Sequence, residues 1–152
     1  MRQHLDIIIA EVDIRPMTTI TLPAHLDSLT RGLALVVECA TAEGFPSQRV
    51  TEIELAVEEA LANICLYAYP DSNGEVVIRC ARDETQHFLI EFIDTGVPCD
   101  ILARPAPDLT VDTAQRQVGG LGIPLIRTLM DNVTYQREGA RNILRLAARL
   151  PR

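Results

Sequence analysis

The stretch Glu54-Leu55-Ala56-Val57-Glu58-Glu59-Ala60-Leu61-Ala62-Asn63 decides how the whole chain is read. At about 100° per residue, Ile53, Val57, Ala60, Leu61 and Ile64 fall on one stripe, which predicts a helix with one buried face. Glu59 and Asn63 are four residues apart and so stack one above the other beside that stripe. Glu54 and Glu58 project from its other side. A carboxylate stacked with an amide at a core border can accept a proton and can ligate a hard cation through oxygen. By itself the pattern also describes a solvated acidic helix edge. Ser47 is the expected N-cap, and the helix runs to about Tyr69 before Pro70 ends it.

Upstream, Thr18-Thr19-Ile20-Thr21-Leu22 is rich in β-branched residues and stops at Pro23, which predicts a first core strand. From His25 to Ala42, the residues Leu26, Leu29, Leu33, Val36 and Val37 recur every three or four positions, a helix that stops near Gly44. Residues 5–14 are apolar enough for a strand and equally read as an ordered arm. Downstream, Asp71-Ser72-Asn73-Gly74 is a turn serving two antiparallel strands near 75–82 and 87–93. Residues 99–118, with Pro105 and Pro107, show no period and read as a loop with at most one short helix. Gly119-Gly120-Leu121-Gly122 opens a helix through about Met130, with Pro124 tolerated in its first turn. Strands near 132–138 and 142–149 close the chain, turning at Glu138-Gly139.

No βαβ alternation is present, so a doubly wound nucleotide fold is excluded. The order predicts an α+β two-layer sandwich, a mostly antiparallel mixed sheet with its helices on one face. We divide the chain into residues 1–16, an arm or strand of unassigned role, and a domain over 17–152.

The chain has 152 residues, 47% hydrophobic and 23% charged, the size and composition of one soluble domain. Its net charge of −7 argues against nucleic acid or an anionic membrane as partner, since either needs a basic patch. Cys39, Cys65, Cys80 and Cys99 form no CxxC pair and no zinc spacing, so reduced thiols in the cytoplasm are expected. No apolar run is long enough to span a bilayer. His4, His25 and His87 share no spacing and propose no metal site or triad.

Two further patches carry chemistry. Ile93-Asp94-Thr95-Gly96-Val97-Pro98 follows an apolar strand, where a carboxylate can accept from an exocyclic amine and a glycine lets a flat base approach. It is also an ordinary Asp-x-Gly turn. Gly119-Gly120-Leu121-Gly122-Ile123 feeds a helix, leaving backbone N–H groups free to face phosphate. It is neither a Walker A loop nor GxGxxG, and a glycine cluster before a helix is more often a turn.

In this order and spacing the three patches resemble the N, G1 and G2 boxes of the GHKL ATPases. The resemblance narrows to the anti-sigma regulatory serine kinases. Leu22-Pro23-Ala24 is similar to their opening strand, and Glu59-Ala60-Leu61-Ala62-Asn63 with Tyr67-Ala68-Tyr69-Pro70 to their N box. Gly119 through Asp131 resembles their third box and its helix, and Gly139 to Leu146 their closing strand. Two departures stand out. Tyr67 replaces a frequent histidine. Arg141-Asn142-Ile143 lies where many members place threonine, an exchange expected to weaken a polar phosphate or adenine contact there.

The resemblance implies that Glu59 is the general base toward a serine hydroxyl and that Asn63 coordinates the Mg2+ bridging the ATP phosphates. Asp94 would accept from the adenine amine, with Gly96 making room for the base. Gly119, Gly120, Leu121, Gly122 and Ile123 would cradle phosphates, residues 99–118 would form a lid, and Arg116 is a candidate cation for the γ-phosphate. Partners implied are a STAS-domain anti-anti-sigma protein, a sigma factor and a second copy of the chain. The alternative is an ATP-binding partner-switching module without kinase turnover.

Overall fold

The computed structural model describes residues 15–100 and 122–152. Strand β1 (Arg15–Pro23) is followed by a 3-10 turn (Leu26–Ser28), helix α1 (Leu29–Ala42) and helix α2 (Ser47–Tyr67). Strands β2 (Glu75–Arg82) and β3 (His87–Asp94) follow, then helix α3 (Gly122–Leu129) and the hairpin β4 (Asn132–Glu138) and β5 (Arg141–Arg149). The five strands form one sheet in the order β1-β2-β3-β5-β4. Every pairing is antiparallel, so the expected mixed character is absent among the described residues.

The alternation of each strand sorts its side chains between two faces. Val76, Ile78 and Cys80 of β2, Ile90 and Phe92 of β3, and Leu144, Leu146 and Ala148 of β5 are buried in one core. Ile53, Val57, Ala60, Leu61 and Ile64, the stripe expected on α2, are all buried in that same core. The opposite face carries Ala81, Leu89 and Ala147 as a separate small cluster. It also carries a cross-strand row, Arg79–Glu91–Arg145. Glu91 is only 2% exposed. Its Oε1 accepts from Arg79 Nε at 2.9 Å and its Oε2 from Arg145 Nη2 at 2.9 Å, so the buried charge is paired on both sides.

Three boundaries differ from the sequence reading. β1 begins at Arg15, with a register shift between Pro16 and Thr18, where proline has no N–H to give the ladder. The helix expected from His25 is split, a 3-10 turn at 26–28 preceding α1. Ser47 is not the N-cap of α2. That place belongs to Pro46, extended at φ −63° and ψ 154° with its carbonyl accepting from the Val50 N–H, while Ser47 is already helical.

The connectivity positions the site. After β3 the chain passes through α3 to the outer strand β4 and then returns as β5 between β4 and β3. The end of β3 therefore lies against the start of β5, with Asp94 opposite Asn142 and Asn142 opposite Arg137.

Candidate active site

Asn63, Ile64 and Ala68 of the α2 end, Asp94, Cys99 and Asn142 line one small cavity of about 20 Å³, enough for one water. The structure thus brings together two residues far apart in sequence, Asn63 and Asp94, and adds Asn142.

Asn63 lies within the buried surface of α2, only 1% exposed, rather than beside it as its place on the helical wheel implied. Its Nδ2 donates to the Glu59 carbonyl one turn back, at 2.7 Å. Its Oδ1 is buried and has no hydrogen-bond partner among the described residues. An orphaned amide oxygen at the wall of a cavity shared with the Asp94 carboxylate is a ligand atom for a hard cation, so the residue fits Mg2+. Among the described residues no cluster of three His, Cys, Asp or Glu could hold a metal, which leaves this oxygen to be joined by ligands from elsewhere.

Glu59 is half-buried on the same helix. Burial, and after it the negative charge of Glu58, raise its carboxyl pKa above the usual range. Both effects disfavour the anion and make the carboxylate a better proton acceptor once formed.

Asp94 is 5% exposed. Its Oδ1 accepts from the Gly96 N–H at 2.9 Å and from Asn142 Nδ2 at 2.8 Å. Among the described residues nothing donates to its Oδ2. Gly96 is required by the protein itself: a Cβ there would lie 2.2 Å from the Ala68 carbonyl oxygen. That carbonyl instead accepts from the Val97 N–H at 2.8 Å, so the loop after β3 is pressed against the end of α2. Tyr69 fastens the same corner, its hydroxyl donating to the Glu75 carbonyl at 2.6 Å and accepting from the Thr95 N–H at 2.9 Å.

Asn142, where a weaker polar contact to phosphate or adenine is expected, makes its contacts within the protein. Asn142 Nδ2 reaches Asp94 and also the Val97 carbonyl at 2.8 Å. Its Oδ1 accepts from the Tyr135 hydroxyl and from Arg137 Nη1 at 3.1 Å. Tyr135 and Arg137 carried no sequence signal of their own. Only the β3–β5 and β4–β5 pairings place them there.

Of the glycine loop, Gly119, Gly120 and Leu121 lie outside the described residues, as do Arg116 and all but residues 99 and 100 of the expected lid over 99–118. Gly122 opens α3, and Ile123 is buried in the core. Arg49 of α2 fixes the far end of that helix, donating to the Leu129 carbonyl and pairing with Asp131 at 3.2 Å. No disulfide joins the four cysteines, and among the described residues no helix is long and apolar enough to cross a membrane.

A helix bearing an amide oxygen and a carboxylate, facing a strand-end aspartate, on an antiparallel sheet with helices on one face, defines the class of ATP-binding domain found in histidine kinases. The chain belongs to the histidine kinase-like ATPase domain family, whose model matches residues 22–148. It is 29% identical over 127 residues to the serine-protein kinase RsbW of Listeria monocytogenes serovar 1/2a, covering 80% of each chain. To the anti-sigma F factor of Clostridium acetobutylicum it is 25% identical over 91 residues, 60% of this chain and 63% of that one. In fold it matches the crystal structure of the RsbU and RsbW domains of a Mycobacterium tuberculosis protein, with a TM-score of 0.63 and 18% identity. That match covers 91% of this chain and spans 33% of the larger one.

Proposed function

We propose that the protein is an ATP-dependent serine-protein kinase and anti-sigma factor, which phosphorylates a STAS-type anti-anti-sigma protein and sequesters a sigma factor. We further propose that it acts as a cytoplasmic homodimer. Membership of the ATPase family and likeness to a serine-protein kinase and an anti-sigma factor support the reading. The observation that carries it is the convergence of Asn63 and Asp94 on one cavity with Glu59 a turn away.

In this reading Asp94 Oδ2 accepts from the 6-amino group of adenine, and phosphates extend toward Asn63 and the start of α3. Mg2+, when bound through the phosphates and Asn63 Oδ1, would neutralise charge on the transferring phosphoryl group. Glu59 takes the proton from the partner's serine hydroxyl. The serine oxygen then forms its bond to the γ-phosphorus, and the bond from that phosphorus to the β–γ bridging oxygen breaks, leaving ADP. A phosphoserine on the partner carries about −1.5 to −2 charges, which against an acidic protein disfavours renewed docking.

The test is transfer of label from γ-labelled ATP with Mg2+ to STAS-domain proteins encoded in the same genome. Label on one serine of one such protein is the expected result. ATP binding with no label on any of them would leave the partner-switching module without turnover as the function.

A further inference from the structure

We infer that Asn142, braced by Tyr135 and Arg137, is the positioning residue that sets this site's preference for a 6-amino purine, although its own amide contacts no ligand. The inference rests on the nucleotide reading above and deepens it.

Asn142 is saturated with hydrogen bonds. An asparagine amide offers two N–H donors and one oxygen with two lone pairs. In Asn142 both donors are committed, to Asp94 Oδ1 and to the Val97 carbonyl, each at 2.8 Å. Its oxygen already accepts from the Tyr135 hydroxyl and from Arg137. The residue is 4% exposed, so its capacity is spent within the protein. A threonine hydroxyl could not reproduce this, having one donor for two acceptors.

The aspartate it holds is soft. The terminal torsion of an aspartate is broad, so a carboxylate held at one point can rotate about it. The Gly96 N–H supplies one such point on Oδ1, and Asn142 supplies a second from the neighbouring strand. With two donors on Oδ1, the oxygen left to meet a ligand is Oδ2, an acceptor without a donor of its own. An acceptor so fixed attracts the amino group at the purine 6-position and repels the carbonyl oxygen found there in hypoxanthine or guanine. Burial pushes the Tyr135 phenol up from its ordinary value, and its hydroxyl donates to Asn142 Oδ1.

The brace also grips the backbone. Arg137 donates to the Gly96 carbonyl at 2.9 Å while Asn142 holds that of Val97, so the β4–β5 hairpin fixes residues 96 and 97 from one side. On the other side the Ala68 carbonyl accepts from the Val97 N–H.

The experiment is calorimetric titration of the full chain with MgATP and with MgITP, whose purines differ only at the 6-position. The variants are Asn142→Leu, Asn142→Thr and Tyr135→Phe. The wild type is expected to prefer ATP. Asn142→Leu should weaken ATP about tenfold and ITP far less, the loss of one buried hydrogen-bond brace. Asn142→Thr should recover part of the ATP preference through its single donor, and Tyr135→Phe should lose a smaller part of it. Equal weakening of both nucleotides, or an unchanged ATP:ITP ratio in well-folded Asn142→Thr and Tyr135→Phe, would overturn the inference. That outcome differs from failure of the nucleotide reading, in which the wild type itself binds neither nucleotide. If Asn142→Leu does not fold, the threonine and phenylalanine variants decide the matter.

Discussion

The two ends of the cavity are built on opposite principles. At the Asp94 end, Asn142 meets four protein partners, and Oδ1 of Asp94 meets two. At the Asn63 end, the amide oxygen is buried with no partner among the described residues, and Glu59 keeps a carboxyl whose charged form its surroundings oppose. A buried polar atom left unmatched costs about 1–3 kcal/mol. On the proposed reading, the protein completes the end that would recognise a base and leaves incomplete the end that would meet charge and do chemistry. Changes at the first should act on folding and selectivity, and changes at the second on catalysis and cation dependence, with folding little affected or improved.

The largest expected effect is at Glu59. Glu59→Gln should lower the phosphorylation rate about 10²–10⁴-fold, the span for losing a general base, while leaving ATP affinity in place. The wild-type rate should rise with pH along a limb set above the usual carboxylate range. Stability should move the other way. A folded pKa raised above the unfolded one gives a contribution that is fully present below the unfolded value and is lost as pH rises through the folded value. Glu59→Gln has no such proton to lose, so it should show a flatter pH dependence in urea titrations and be the more stable of the two above the folded value. A variant that keeps its rate would remove the chemical end from the comparison altogether.

Next in size is Gly96, at the completed end. A methyl group 2.2 Å from the Ala68 carbonyl has nowhere to go without separating the loop from α2. Gly96→Ala should cost about 1–3 kcal/mol in urea or thermal unfolding, as overpacking does. An unaffected midpoint would mean that the corner is not held as tightly as its hydrogen bonds indicate.

What sequence could reveal follows from how local each signal is. The stripe on α2 and the strands near 75–82, 87–93 and 142–149 are set by residues a few positions apart, and they were legible. So was the pairing of Glu59 with Asn63, one helical turn. The depth of Asn63 was not, because burial depends on what packs over the helix. Gly96 reads in the sequence as room for a base, whereas the neighbour that the structure sets against it, the Ala68 carbonyl, comes from another element. Asn142 looked like a missing hydroxyl until the β3–β5 register, 48 residues apart in sequence, set it against Asp94. Ser47 shows the limit of cap signals: a favoured residue stood one position too late, and the extended proline before it took the place.

The smallest effect offers the sharpest contrast, because it makes the same substitution at both ends. Asn63→Leu removes an oxygen that has no partner and a single bond to the Glu59 carbonyl. The two losses oppose each other, so stability should stay within about 1 kcal/mol of wild type. Asn142→Leu instead strands acceptors on Asp94 and Val97 and the donors on Tyr135 and Arg137, and should be the less stable of the two leucine variants. In ATP titrations Asn63→Leu should weaken binding about tenfold with Mg2+ present and little in its absence, one cation ligand being lost. If it proves as destabilising as Asn142→Leu, then the oxygen at residue 63 is matched within the protein in solution. The two ends would then be alike in construction, and the site for the cation would have to be sought at another residue.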